Sequence, residues 1–243
     1  MGSRLGFLLS YPRFDGDEVE SRLRELQDLG VEALVSGGRH MIHGVPVLGK
    51  GHVGIVVTAL LDGVGVAVKI RRVDADRPSL AAEAECLRVA NRASVGPRFL
   101  GVSQNFLVME LVEGGYLHEW VAGLVPSDSG RLRGVLRRLL WKARRLDAIG
   151  LDHGELSRAH RHVIVAGGEP RIVDFESAST GRRCGNVTSV AQYLFFSRRM
   201  AGLIGGIISM PGREALIEAL RGYKKEPTDA GFRRVLAVCG LSA

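Results

Sequence analysis

Gly49-Lys50-Gly51-His52-Val53-Gly54-Ile55-Val56 and, a few residues on, Val66-Ala67-Val68-Lys69-Ile70 are the stretches on which the fold of this 243-residue chain turns. The first has the pattern G-x-G-x-x-G-x-V. Glycine at these spacings lets backbone N–H groups approach phosphates without a Cβ in the way, and Val56 supplies an apolar roof for a base. A glycine loop of this kind also serves dinucleotide folds, but there it opens a helix. Here residues 55–61 and 64–70 are β-rich runs joined by Asp62-Gly63, a pair suited to the positive φ of a two-residue hairpin turn, so the loop opens a hairpin. Lys69 on the second strand reads either as a solvent-facing residue of an alternating strand or as an ammonium placed under phosphates held by the loop. Glu83, four residues before Leu87 on the next segment, is placed to hold that lysine. Glu85 is the competing carboxylate and points elsewhere on the same helix.

Working outward, residues 79–91 carry apolar side chains at helical spacing with Ser79 as N-cap, and two short apolar runs follow at 99–102 and 106–112. Upstream, residues 17–29 read as an amphipathic helix closed by Gly30. Beyond Gly114-Gly115 the pattern turns helical, over 117–124 and 130–149, interrupted by a short hairpin at 163–165 and 171–173. Residues after Thr188 read as two or three helices broken near Pro211 and Pro227. The expectation is an α+β chain with a β-rich part over 1–112 and an α-rich part over 113–243, the hinge lying near Glu113 to Gly115.

With 46% hydrophobic and 24% charged residues the composition is that of an ordinary globular chain. Lys plus Arg exceed Asp plus Glu by 33 to 26, and arginine is concentrated over 131–145. Such a face suits phosphate-rich partners such as nucleotide or RNA, or is a solvated helix face. Three scattered cysteines, Cys86, Cys184 and Cys239, form neither a zinc spacing nor a disulfide framework, which favours a reducing, cytoplasmic setting. No apolar run is long enough to span a bilayer, the longest candidate being 201–210. No membrane association is expected.

The second half carries its own candidates. Leu151-Asp152-His153-Gly154-Glu155-Leu156 is followed by the hairpin containing Val163-Ile164-Val165, and Ile172-Val173-Asp174-Phe175-Glu176 comes after that hairpin.

Taken together, these motifs from about Val45 to Phe175 resemble the protein-kinase superfamily, in particular its small atypical branches of the RIO type found in archaea and eukaryotes. The resemblance implies a bilobal fold, with an antiparallel N-lobe sheet carrying one helix and a short helical C-lobe. It also implies that Gly49, Gly51 and Gly54 cover ATP, with Val56 and Ala67 against the base. Lys69 contacts the phosphates, oriented by Glu83. Met109 and Glu110 to Val112 correspond to the gatekeeper and the adenine-gripping hinge. Glu155 stands where the family has its catalytic Asp in an H-G-D-L loop, one methylene longer, and Asp174 stands where the family holds metal. The family's magnesium-binding Asn aligns with His160 by counting from the acid, or with His162 by alignment on the following strand. Imidazole suits Mg²⁺ poorly, so either alignment implies a single-metal site or another ion such as Mn²⁺. Asp152 is a further candidate acid in a shifted loop. Glu176 replaces the family's glycine, no A-P-E motif follows, and about seventy residues remain after Asp174. Ser177, Ser179, Thr180, Thr188 and Ser189 are polar loop residues or phosphoacceptors.

The resemblance implies ATP-dependent phosphoryl transfer to a hydroxyl, Ser or Thr of a protein or of the chain itself. The alternative is a pseudokinase or nucleotide-binding switch acting through a protein or RNA partner, and ribonucleoprotein association follows from the company of RIO-like relatives.

Overall fold

The structure is a computed structural model and describes residues 2–242. The chain divides into two compact units. The first comprises the residues up to Arg88 together with Pro97–Leu111, and the second comprises Val89–Gly96 and everything from Val112 onward.

The first unit begins with two helices, α1 (Gly2–Leu9) and α2 (Gly16–Asp28), followed by β1 (Val31–Val35), β2 (His40–Ile42), β3 (Val45–Val47) and β4 (Gly49–Lys50). Then come β5 (Gly54–Leu61), β6 (Val64–Arg71), α3 (Ala81–Arg92, whose last residues belong to the second unit), β7 (Phe99–Val102) and β8 (Phe106–Glu110). Asp15 caps α2, its carboxylate accepting from the backbone N–H groups of Asp17 and Glu18. Both the cap and the left-handed Gly30 that follows the helix (φ 76°) agree with the expected helix limits.

The main sheet is antiparallel in the order β1-β5-β6-β8-β7, with β4 also paired antiparallel to β5. Its centre is the expected hairpin: Asp62 (φ 50°) and Gly63 (φ 70°) make the tight turn, and Leu61 faces Val64 across it. Side chains alternate across this sheet. Ile55, Val57, Val66, Val68, Ile70, Phe106 and Val108 join Leu8, Leu9 and Leu26 of the two N-terminal helices in one core.

That helical cover is fastened by a charged side chain on the buried face of α2, at the helical spacing of Val19 and Leu26. Arg22 is fully buried. Its guanidinium donates to Glu18 Oε1 at 2.6 Å, to the carbonyl of Leu9 at 2.8 Å, to the carbonyl of Arg71 and to Asn105 Oδ1 at 3.2 Å. Glu25 completes the knot, accepting from Asn105 N and Nδ2 at 2.7 and 2.8 Å. Burial holds the Arg22 guanidinium below its ordinary pKa, and Glu18 opposes that shift.

The second unit carries β9 (Gly115–Tyr116), α4 (Leu117–Ala122), α5 (Ser129–Ala148), β10 (Val163–Ala166), β11 (Glu169–Ile172), α6 (Asn186–Phe196), α7 (Arg198–Gly205), α8 (Arg213–Lys225) and α9 (Asp229–Val238). Helix α5 buries Leu132, Val135, Leu136, Leu139, Leu140, Ala143 and Leu146, an apolar stripe at the period of an α-helix. It packs on α6, while α8 packs on α9. A small antiparallel sheet, ordered β11-β10-β9, sits beside them.

Among the described residues four helices follow residue 185, where two or three were expected after Thr188. The extra break falls at Ser197, whose extended backbone (ψ 127°) ends α6 without a proline or glycine to announce it. Among the described residues no helix is long and apolar enough to cross a membrane.

Candidate functional site

In the first unit, strand register decides which of the expected nucleotide-binding residues share a face. Val56 stands opposite Lys69, and Lys69 opposite Leu107, while Thr58 stands opposite Ala67 and Ala67 opposite Met109. Directly paired residues project to the same side of a pleated sheet. Val56, Ala67, Lys69 and Met109 therefore lie on one face, the face away from the core shared with α1 and α2. Glu110 alternates to the other side, and its carboxylate accepts from the backbone N–H of Arg98 at 2.8 Å. The last expected hinge residue, Val112, opens the long segment of the second unit.

Helix α3 brings Glu83 to the lysine. The Lys69 Nζ lies 2.9 Å from Glu83 Oε1 and 2.8 Å from Oε2, with the two side chains 4% and 3% exposed. Glu85, the competitor, faces outward and pairs with Arg88 at 3.6 Å. Two buried charges cost several kcal/mol each in desolvation and persist only when paired at good geometry, so this pair is a specified feature of the fold.

The glycine loop sits beside it. Gly49 pairs with Val56, and Gly51 N donates to the Gly54 carbonyl at 2.8 Å, closing the loop. A Cβ at Gly54 would meet the Ile70 carbonyl at 2.8 Å and the Lys69 side chain at 3.1 Å, so the loop can press this close to the lysine stem only with glycine there. His52 at the tip is 85% exposed and lies 4.0 Å from Asp76.

In the second unit the expected acid and the expected metal ligand are joined by a histidine. His162 Nε2 lies 2.9 Å from Glu155 Oε2, and His162 Nδ1 lies 3.6 Å from Asp174 Oδ2. His162 is buried, whereas His160 is exposed, with its ring near those of His118 and Tyr193. Of the two histidines the alignments leave open, the structure therefore puts His162 against Asp174. Asp174 itself has a positive φ of 68°. That region is sparsely populated by residues other than glycine, and occupying it costs on the order of 1 kcal/mol, a strain that tends to collect at functional loops.

Below this row lies a scaffold around His153, a structural position by the kinase resemblance, whose partners Asn186 and Asp147 the sequence did not mark. The His153 Nε2 faces the Val173 carbonyl at 3.2 Å, which fixes the proton on that nitrogen and leaves Nδ1 buried without a hydrogen-bond partner. Burial, and secondarily the charge of His162, pushes the imidazole down to about 4, so it is neutral at pH 7. Its ring packs on Phe175, centroid to centroid 5.0 Å. Its backbone N–H donates to Asn186 Oδ1 at 2.9 Å, and Asn186 Nδ2 donates to the Leu151 carbonyl and to Asp147 Oδ1, both at 2.8 Å. Asp147 also accepts from Asn186 N, Val187 N and the Tyr223 hydroxyl. Asp147 thus ties the end of α5 to the start of α6 and, through Asn186, to the loop carrying Glu155. The only hint in the sequence is a polar pair flanking helix ends, which is too common to single out.

Asp152, the alternative acid, accepts from Gly185 N at 3.3 Å and pairs with Arg182 at 3.1 Å. It is a loop anchor. Glu155 is about one-third exposed, with Oε2 on His162 and Oε1 accepting from the Ser177 hydroxyl at 3.1 Å.

The donor set around Asp174 fits one kind of ion. Among the described residues no group of three or more His, Cys, Asp and Glu side chains is arranged to hold a metal. Mg²⁺ is commonly bound by one or two carboxylates, with the rest of its octahedron supplied by water and substrate phosphate. The half-exposed Asp174 suits that arrangement, and a site built wholly of protein ligands does not fit.

The arginine-rich stretch is largely spent internally. On α5, Arg131 pairs with Asp128, Arg138 and Lys142 with Glu169, and Arg144 with Asp229, while Arg133 donates to the Gly240 carbonyl. The cysteines are free thiols, and burial pushes Cys184 up to about 11 and Cys239 up to about 12, so neither supplies a thiolate nucleophile.

No protein-family model and no curated protein matches the chain.

Proposed function

We propose that the two units are the N- and C-lobes of a protein-kinase-like fold and that the chain transfers a phosphoryl group from ATP to a hydroxyl, with Ser or Thr of a protein as the acceptor class. The observation that carries this reading is the buried Lys69–Glu83 pair on the same sheet face as Val56, Ala67 and Met109, beside a glycine loop closed on itself. An ammonium held in one orientation beside the backbone of a glycine loop suits the α- and β-phosphates of a nucleotide.

Within this reading each residue has one task. Lys69 binds phosphate, and Glu83 orients it. Val56 and Ala67 flank the base. Glu155 accepts the hydroxyl proton, and His162 holds Glu155 in place through Oε2. Asp174 would hold Mg²⁺, or Mn²⁺, which supplies neutralisation of phosphate charge when bound. Catalysis is then positioning and electrostatics.

A second reading, a nucleotide-binding switch without transfer, is favoured by one observation: both oxygens of Glu155 are already engaged, one by His162 and one by Ser177. The test is to measure nucleotide affinity and phosphoryl transfer with Mg²⁺ and with Mn²⁺, for the native chain, Lys69→Met and Glu155→Gln. Transfer that Glu155→Gln slows by on the order of a hundredfold, with affinity that Lys69→Met weakens, supports the enzyme. Lys69-dependent binding with no transfer under either metal supports the switch, and affinity indifferent to Lys69 overturns both.

A further inference from the structure

The carboxylate assigned as the proton acceptor already holds a hydroxyl, and that hydroxyl belongs to the chain. Ser177 Oγ donates to Glu155 Oε1 at 3.1 Å, while the other carboxylate oxygen is occupied by His162 Nε2 at 2.9 Å. Three independent constraints keep Ser177 there. Arg182 Nη2 donates to the Ser177 carbonyl at 2.6 Å and pairs with Asp152 Oδ2 at 3.1 Å, clamping the serine backbone to the loop that carries Glu155. An antiparallel bridge joins the same two segments, Asp152 N to the Ser179 carbonyl at 2.9 Å and Ser179 N to the Asp152 carbonyl at 2.8 Å. Gly154 (φ 87°) lets them approach, since a Cβ there would stand 2.7 Å from the Ser177 carbonyl and 3.3 Å from its Cβ.

The neighbouring hydroxyls are differently employed. Thr188 Oγ1 donates to the Gly185 carbonyl at 2.8 Å, and Ser179 Oγ accepts from Gly181 N at 3.1 Å. A side chain is phosphorylated efficiently when its hydroxyl is already within hydrogen-bond reach of the group that takes its proton, because orientation has been fixed before the nucleotide arrives.

We infer that Ser177 is a phosphoacceptor of this chain, modified in cis. The inference rests on the phosphoryl-transfer reading above. In the step, Ser177 Oγ forms a bond to the γ-phosphorus of ATP as the bond from that phosphorus to the β,γ-bridging oxygen breaks. The Oγ proton passes to Glu155 Oε1, and ADP leaves with the electron pair of the broken bond.

The test is to incubate the full chain with γ-labelled ATP and Mg²⁺ or Mn²⁺, digest with trypsin and locate the label within residues 172–182 by fragmentation. The expected result is label on Ser177, with a first-order rate that does not change on dilution of the protein. Glu155→Gln slows labelling by on the order of a hundredfold. Ser177→Ala abolishes it, and Ser177→Thr, which keeps an acceptor hydroxyl, restores it at position 177. Melting curves on both variants show whether each is folded. Label at other positions with Ser177 unmodified, or a rate proportional to protein concentration, overturns the inference and leaves the transfer reading standing. Transfer to an added serine peptide without any label on Ser177 does the same. Absence of transfer to any acceptor, with either metal, overturns both.

Discussion

Lys69 and Glu83 form a two-point ion pair, Nζ to Oε1 and Oε2 at 2.9 and 2.8 Å, with less than a twentieth of either side chain exposed. Removing one partner strands the other charge in a desolvated site, at a cost of about 3–5 kcal/mol. Lys69→Met is expected to lower unfolding free energy by about that much in urea titrations and to weaken ATP binding. The double variant Lys69→Met/Glu83→Leu should recover most of the stability, because both buried charges are gone, yet recover none of the nucleotide affinity. A double variant that regains both would show that the pair is structural only.

Arg22 makes the same point in the part of the chain with no assigned chemistry. It donates to two backbone carbonyls, Glu18 and Asn105 from a fully buried position. Arg22→Met fills much of the volume but leaves those acceptors without their donor, and the expected loss is about 3 kcal/mol. Denaturation midpoints will show it, and Arg22→Lys should recover only part, since one ammonium cannot reproduce the guanidinium fork.

His153 gives the fold an acid-side limit. Its folded-state pKa of about 4 lies below the ordinary value near 6.5, so the unfolded chain takes up the proton first. The stability linked to this residue is present above about pH 6.5 and is lost progressively as pH falls toward 4, on the order of 3 kcal/mol in all. Unfolding free energy measured from pH 7 to 4.5 should fall more steeply for the native chain than for His153→Gln. Equal slopes would show that the imidazole is not neutral and buried in solution.

Asp147 accepts hydrogen bonds from Asn186, Val187 and Tyr223, and through Asn186 it sets the backbone at His153. Asp147→Ala leaves several buried donors unsatisfied, each worth about 1–3 kcal/mol. We expect a melting temperature lowered by more than ten degrees in an isolated change of this kind. Asp147→Asn, which retains one acceptor oxygen, should fall between the two.

The sequence alone carried the central hairpin, the α3 position of Glu83 and the elements α2, α3, β7, β8, α5, β10 and β11, while α1, β1, β2 and β9 went unread; those it carried depend on short-range rules: turn residues that accept positive φ, alternation in strands and helical spacing. It also named Lys69, Glu155 and Asp174. Glu83 and Glu85, two residues apart, lie on opposite faces of α3, and the packing of that helix puts Glu83 on Lys69.

What only the tertiary structure decided involves residues distant in sequence or counted along irregular backbone. The loop between Glu155 and β10 contains a short 3-10 turn at Leu156–Arg158, so residue counting cannot say whether His160 or His162 reaches Asp174, and the folded backbone puts His162 there. In the sequence Ser177 is one of five hydroxyls that read as polar loop residues or phosphoacceptors, and only the Arg182 contact and the Asp152–Ser179 bridge bring its hydroxyl to Glu155. Arg22 shares the buried face of its helix with Leu26, but spacing along the helix cannot name its partner Asn105, 83 positions away. Composition and spacing specify which side chains are present and which face of an element they occupy. Which polar partners they find depends on chain segments meeting at long range, and for buried charge that meeting fixes the energy.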